Sequence, residues 1–350
     1  METRIKSSPA GSGRAQPPKA NRQRNATLLD MRKSIASPVF FLLSMTILDR
    51  AFALGIPLVP RSILRRLSQR YVAGEHRDAA LALGHQLSSA NYCLTFDVLG
   101  EAVSNQEDVT GALQEYRALF DDLRTQDLEL NLSLKPTQMG LLLGESFCTD
   151  SVSTLVSLAA AEGGFVRYEM EDSPTTDATL RVFLQLHKEH GNHVGCVLQS
   201  MLHRSRKDLE SLLSDCPGLN VRLVKGIYVE PADVAFQTMG EINESFLGLA
   251  RQTLQGGGFL GAATHDPVLV KGLRELLEEN PEWKNRFELQ VLLGVGEELR
   301  RECLDAGLPV RVYIPYGAKW LPYVQRRLRK NPKLARYAFF GLFKKRDSIA

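Results

Sequence analysis

From Tyr92 onward the chain alternates short apolar and β-branched runs with longer stretches whose apolar positions recur at helical spacing. The short runs are Tyr92–Leu99, Glu129–Leu134, Phe165–Met170, His193–Ser200, Val221–Gly226, Phe259–Thr264, Arg286–Leu292 and Val310–Ile314. Helical patterns lie between them at Val152–Ala161, Thr175–His190, Lys207–Leu213, Ala232–Leu254, Pro267–Glu279 and Glu297–Ala306. Eight strands, each followed by a helix, predict an α/β architecture: a closed (βα)8 TIM-type barrel. It is expected to carry an N-terminal helical extension and to lay a last helix over its C-terminal rim. An open, doubly wound sheet is the rival, but no GxGxxG follows an early strand. No repeat of solenoid length is visible.

Composition adds the flanks. The 350 residues are 44% hydrophobic and 24% charged, ample for a large core, and a net charge of +3 does not by itself imply nucleic acid. Met1 to Lys33 holds eight Lys/Arg against two acidic residues, spaced by Pro, Gly, Ser and Asn. Such a segment cannot bury enough apolar surface to offset its chain entropy. Residues 1–35 therefore read as a disordered basic tail, Arg-rich like a transit peptide but without a clear amphipathic stripe. Residues 36–90 read as an N-terminal helical segment and 91–350 as the barrel. Pro38 to Pro60 is apolar but interrupted by Asp49, Arg50, Gly55 and Pro57. A span needs roughly 20 mainly apolar residues, so this stretch is expected to pack on the domain or lie at a membrane surface. The five cysteines are widely spaced, with no CxxC, which suits buried, inert thiols in a reducing compartment.

A barrel of this type places its active site at the C-terminal ends of the strands. Read in order, those ends hold Asp97 and Glu101, then Ser133, Lys135, Thr137 and Gln138, then Arg167, Glu169, Glu171 and Asp172. Gln199 ends the fourth strand, and Arg222, Val224, Lys225, Gly226 and Tyr228 run through the end of the fifth. Thr264, His265 and Asp266 follow the sixth, Glu288 and Gln290 sit on the seventh, and Tyr313 and Tyr316 on the eighth. Strand alternation turns either Arg222 and Val224, or Leu223 and Lys225, into the lumen. Each residue alone has an ordinary explanation: a lysine is a solvated tip, a glutamine a local cap, Arg167 and Glu171 an ion pair at the rim. Together at one rim they call for a polar ligand or cofactor. No metal site is predicted.

The last helix is expected to open near Ala318. Tyr323 and Arg327 lie four apart and share a face next to Arg326. Adjacent arginines clamp a carboxylate with planar, bidentate bonds. The alternative is a basic, solvated helix, since Arg329, Lys330, Lys333 and Arg336 follow.

These residues fall into motifs that resemble the proline dehydrogenases, which occur alone or as the first enzyme domain of bifunctional proline-utilisation proteins. The resemblance runs from about Arg70 to Arg346. It rests on Arg70-Tyr71-Val72-Ala73-Gly74-Glu75, Asp97-Val98-Leu99-Gly100-Glu101, Leu134-Lys135-Pro136-Thr137-Gln138, Arg222-Leu223-Val224-Lys225-Gly226, Ala263-Thr264-His265 and Arg326-Arg327-Leu328, in the family's order. It implies FAD across the C-terminal rim, held by Gln199, Arg222, Val224, Lys225, Gly226, Tyr228, Thr264, His265 and Glu288. Arg222 would stand by the reactive flavin nitrogen and Lys225 by the pyrophosphate. L-proline would lie on the flavin with its carboxylate on Lys135, Arg326 and Arg327, beside Glu169 and Tyr323. Tyr313 would pack on its ring, where similar enzymes that prefer hydroxyproline carry a smaller residue. Glu101 would pair with Arg326 and close the empty site. The sequence departs from the family at Glu169 (usually Asp), Ile227 (usually Ala) and Asp266 (usually Asn).

The resemblance further implies 1-pyrroline-5-carboxylate as product, the first step of proline catabolism to glutamate, and a membrane quinone as electron acceptor. The expected location is the cytoplasm, with peripheral contact to the inner membrane. The stretch Arg326 to Arg346 supports that contact, with nine Lys/Arg, no acidic residue and interleaved phenylalanines. Rival readings are hydroxyproline oxidation and a Schiff-base aldolase using Lys135 or Lys225. A non-catalytic surface-binding protein is the third, and no nucleic acid is expected as a partner.

Overall fold

A computed structural model describes residues 61–100 and 102–330, with side chains described throughout except at 61–63, 67 and 326–330. Eight strands close a barrel in sequence order, every neighbouring pair parallel. They are β1 Cys93–Val98, β2 Asn131–Leu134, β3 Phe165–Tyr168, β4 Val194–Gln199, β5 Asn220–Val224, β6 Phe259–Ala263, β7 Phe287–Leu292 and β8 Val310–Tyr316. All eight lie where the apolar runs predict them. The seam between β1 and β8 pairs six residues, Cys93↔Arg311 through Val98↔Tyr316.

Two helices precede the barrel, α1 Arg61–Ser68 and α2 Arg77–Ser89. The crossovers are α3 Gln106–Thr125, α4 Glu145–Ala161, α5 Ser173–His190, α6 Ser205–Asp215, α7 Met239–Gln255, α8 Pro267–Glu279 and α9 Glu297–Asp305. The last helix, α10, spans Trp320–Lys330 and begins two residues later than the sequence predicts. Local chemistry sets the starts. Asn105 caps α3 by accepting from the Asp108 amide at 2.9 Å. Thr238 and Glu241 form a capping box, which starts α7 at Met239 and leaves the predicted residues 232–238 as loop. Among the described residues, no helix is long and apolar enough to cross a membrane. The apolar stretch 38–60 and the basic tail lie outside the described residues.

Alternation divides each strand between two environments. Leu94, Phe96, Leu132, Val166, Cys196, Val221, Leu223, Leu260, Leu289, Val312 and Ile314 join one buried apolar layer with the surrounding helices. The other face points into the lumen, as one bond demonstrates: Arg222 on β5 donates to Ser133 Oγ on β2 at 3.1 Å. Those strands are not neighbours, so only the interior can host the contact. Of the two inward sets the alternation allows, the structure selects Arg222 and leaves Leu223 in the apolar layer.

The lumen takes long polar side chains because glycines leave room for them. A Cβ at Gly195 would stand 2.5 Å from Arg167 Nη1 and 2.5 Å from the Asn220 carbonyl. At Gly261 it would collide with the Gln290 amide. Gly195→Ala should therefore destabilise the barrel by about 1–3 kcal/mol as overpacking. Urea denaturation checks this, and an unchanged midpoint would show that the Arg167 side chain moves aside freely.

Candidate active site

A chain of contacts climbs the lumen from its N-terminal floor to its C-terminal rim. At the floor Arg311 donates to Glu288 twice, Nε to Oε1 at 2.8 Å and Nη2 to Oε2 at 3.0 Å. Its Nη1 reaches Glu129 at 2.5 Å. Glu288 is buried, which alone would raise its pKa, yet Arg311 and Gln290 hold it below the usual carboxylate range. One layer up, Gln290 Nε2 donates to Glu288 Oε1 at 2.5 Å, while Gln290 Oε1 accepts from Arg222 Nε. Arg222 Nη1 donates to Ser133 and to Glu169. Ser133 in turn meets Thr95 at 3.2 Å. No hydrogen bond to Arg222 Nη2 is found among the described residues, and the guanidinium carbon stands 5.3 Å from the centre of the Tyr313 ring.

At the rim Lys135 Nζ pairs with Asp97 Oδ1 at 2.5 Å, and Asp97 is wholly buried with Oδ2 unbonded. Sequence reasoning sets Glu169 beside Lys135; in the structure Glu169 pairs with Arg222, and Asp97 is the lysine's partner. Tyr313 stays protonated, its pKa driven well up by burial and by the carboxylates of Asp97 and Glu169. The suggested Arg167–Glu171 pair does not form. Arg167 instead donates to the Cys196 and Asn220 carbonyls and to Asn220 Oδ1, and lies over the Phe165 ring. Glu171 accepts from the Thr137 amide at 2.8 Å and hydroxyl at 2.9 Å, joining the loops after β2 and β3.

A second arc occupies the ends of β4, β5 and β6. Gln199 Nε2 donates to the Glu171 carbonyl at 2.6 Å, while its Oε1 is buried without a partner. Val224 and Lys225 offer their carbonyls to Ser200 and Met201 at 2.8 and 2.9 Å, which locks the two strand ends together. Gly226 has φ +109, and a Cβ there would collide with the Met201 side chain, so this turn admits only glycine. Tyr228 packs on the cluster of Met201, Leu202, Ala235 and Ile242. Thr264 Oγ1 accepts from the Asp266 amide at 3.1 Å. His265 Nε2 accepts from the Leu292 amide at 2.9 Å, which fixes a neutral ring with its proton on Nδ1. Lys225 Nζ pairs with Asp266 at 2.5 Å. Both rim lysines are thus engaged in ion pairs, Lys135 with Asp97 and Lys225 with Asp266.

The structure thus brings together Lys135, Glu169, Arg222 and Tyr313 on one side, and Gln199, Val224, Lys225, Gly226, Tyr228, Thr264 and His265 on the other. It places Glu288 elsewhere: second in β7, near the floor, engaged with Arg311 and Gln290 below the rim. Arg326 and Arg327 belong to α10, but their side chains, like Glu101, lie outside the described residues. Tyr323 packs on the small cluster of Leu64, Leu99, Trp320 and Val324. Trp320 also donates to Glu75 at 2.8 Å, and the Gly317 amide donates to the Gly74 carbonyl at 2.9 Å, so residues 70–75 anchor the start of α10. Sequence reasoning passed over Arg311, Thr95 and Glu129. For Arg311 a signal existed, because alternation on β8 gives it the same face as Tyr313.

The model for the proline dehydrogenase family matches residues 80–336. Proline dehydrogenase 1 of Bacillus subtilis is 31% identical over 278 residues, covering 79% of this chain and 91% of that protein. Proline dehydrogenase of Deinococcus radiodurans is 31% identical over 288 residues, 81% of this chain and 92% of that protein. Among solved structures, proline utilization A (PutA) from Bdellovibrio bacteriovorus, inactivated by N-propargylglycine, superposes with a TM-score of 0.71 at 22% identity. That comparison covers 81% of this chain but 34% of the larger protein, and it speaks to the fold.

Burial raises the Asp266 carboxyl, but Lys225, the Val268 amide and Asn243 outweigh it and hold its pKa below the ordinary 3.8. The unfolded chain then binds this proton more readily, so the pairing stabilises above pH 3.8 and is lost as pH falls through the lower folded-state value. Asp266→Asn should cost roughly 0.5–1 kcal/mol at neutral pH, as a partly exposed pair does. The difference from wild type should close in acid. Urea denaturation across that range checks it, and a gap that persists in acid would trace the cost to something other than the charge.

Proposed function

The chain belongs to the proline dehydrogenase family, and we propose that it oxidises L-proline to 1-pyrroline-5-carboxylate with FAD at the C-terminal rim. The observation that carries this reading is Arg222: a guanidinium held by Gln290, Ser133 and Glu169, with Nη2 unbonded among the described residues, next to Tyr313. The second arc suits the cofactor. The orphaned Gln199 Oε1 is an acceptor for a ring N–H, and the glycine-only turn at Gly226, packed against Met201, shapes the adjoining backbone. Lys225 supplies a cation for the pyrophosphate, once it is shared with Asp266.

When bound, FAD would supply the acceptor for a hydride leaving the ring carbon next to the proline nitrogen. The protein's part is positioning and charge. Lys135, with Arg326 and Arg327 from α10, holds the proline carboxylate; Glu169 and Tyr323 border the site, and Tyr313 supports the ring. Arg222 places positive charge where the reduced flavin is negative. Val224, Tyr228, Thr264 and His265 shape the cofactor's side of the rim. Electrons pass on to a quinone, and the basic segment 326–346 meets the anionic inner membrane from the cytoplasmic side. This is the first step of proline breakdown to glutamate.

Absorption spectra of the purified protein, taken without oxygen before and after L-proline, test the reading. Flavin bands should bleach with proline; bleaching with hydroxyproline alone would keep the chemistry and change the substrate. A colourless protein that cannot be reconstituted with FAD would sink it. Arg326→Met and Arg327→Met should each raise KM for proline at least about tenfold, as loss of a charged hydrogen-bond partner does. An unchanged KM in both would remove α10 from the substrate site.

A further inference from the structure

The lumen contains a device that the rim chemistry alone does not require. Arg222 could be neutralised at the rim by Glu169, yet its Nε is turned inward to an amide rather than to a carboxylate. That amide has a single workable orientation. Glu288 can only accept, so Gln290 must present its NH2 to it; Arg222 Nε can only donate, so Gln290 must present its oxygen there. Glu288 is itself clamped by two bonds from Arg311, whose third contact reaches Glu129 at the floor. The run Glu129–Arg311–Glu288–Gln290–Arg222 therefore alternates acceptor, donor, acceptor, amide and donor through the full height of the barrel. Gly261 keeps the space that Gln290 occupies.

We propose that Gln290 is the positioning residue for Arg222, and that Glu288, fixed by Arg311, sets both the orientation and the effective charge of that guanidinium toward the cofactor. The proposal rests on the reading that FAD lies at this rim. A buried carboxylate two bonds below the arginine acts with little screening, so it moderates the positive field that a reduced, anionic flavin would experience. Gln290 converts that field into a fixed direction. The two residues thus oppose one another: one sharpens the arginine's hold on negative charge, the other limits it.

Opposed signs make the test. In the purified holoenzyme, Gln290→Met keeps side-chain length but removes the acceptor for Arg222 Nε. Its flavin midpoint potential should fall, and flavin reduction by proline should slow roughly tenfold, with KM for proline within about twofold. Glu288→Gln keeps the Oε1 acceptor that both neighbours use and removes the charge; its midpoint potential should rise. A purely structural role would lower thermal stability in both variants and move the potentials in the same sense or not at all. That outcome would overturn the proposal while leaving the proline dehydrogenase reading intact. If Gln290→Met does not fold, Glu288→Gln decides alone, and a potential that stays or falls overturns it. Wild-type protein that takes up no flavin would sink proposal and underlying reading together.

Discussion

Guanidinium groups placed inside a barrel, away from water, must be met by fixed acceptors, and the rest of this structure follows from that constraint. An uncompensated buried charge costs several kcal/mol. Four lumen cations, Lys135, Arg167, Arg222 and Arg311, stand with four carboxylates, Asp97, Glu129, Glu169 and Glu288. Barrels of this kind usually fill their interior with layers of branched apolar side chains. Here ion pairs and amides take much of that volume, and the buried apolar layer lies between strands and helices. Gly195 and Gly261 follow from the same need, because long polar side chains cross where a methyl would block them. Arg167 is the exception that shows the alternative: without a bonded carboxylate it uses carbonyls and an aromatic face, and burial with Arg222 nearby lowers its pKa.

The lumen fixes charge, and the rim is fixed by contacts far apart in sequence. Residues 70–75 lie beside the exit of β8: Ala73 donates to the Pro315 carbonyl at 2.9 Å, Arg70 to the Gly294 carbonyl at 3.1 Å, and Glu75 accepts from Trp320. Pro315 has no amide to give the ladder, but its carbonyl remains free for this use. The start of α10, and with it the helix that carries Arg326 and Arg327, is thereby tied to the segment before the barrel.

Strand order and position were legible because period-two burial and regular crossovers leave few alternatives. The ends were less so. Ala232–Leu254 reads as one helix, yet Thr238 and Glu241 cap it at Met239, and capping chemistry overrides periodicity. The rim residues were legible as a set, since polar side chains at eight strand ends have no common structural cause. Their partners were not. Lys135 pairs with Asp97 and not with Glu169 because the carboxylate at 169 turns to Arg222, a choice made by three-dimensional distance alone. Arg311 went unread because an arginine at the start of a strand looks like a solvated edge until the barrel closes over it. Glu288 was read as a rim residue because it is a carboxylate on a barrel strand; its height along β7 puts it near the floor.

The same geometry sorts by their consequence the three positions, 169, 227 and 266, at which the sequence is expected to depart from the family pattern. Ile227 is 61% exposed on the loop after β5, so most of its side chain faces outward. Asp266 preserves what an asparagine would do, since Oδ1 accepts from the Val268 amide at the head of α8, and adds an ion pair with Lys225 through Oδ2. That change alters charge at the rim without altering shape. Glu169 differs in kind. Its carboxylate bonds the Arg222 guanidinium, and the added methylene extends its reach toward a group that Ser133 and Gln290 also hold. Because each acceptor constrains where the arginine can lie, a longer arm at 169 is matched only if the other two acceptors allow it. Substitutions in the lumen are therefore coupled to one another, whereas a change at 266 acts chiefly through its own pair with Lys225.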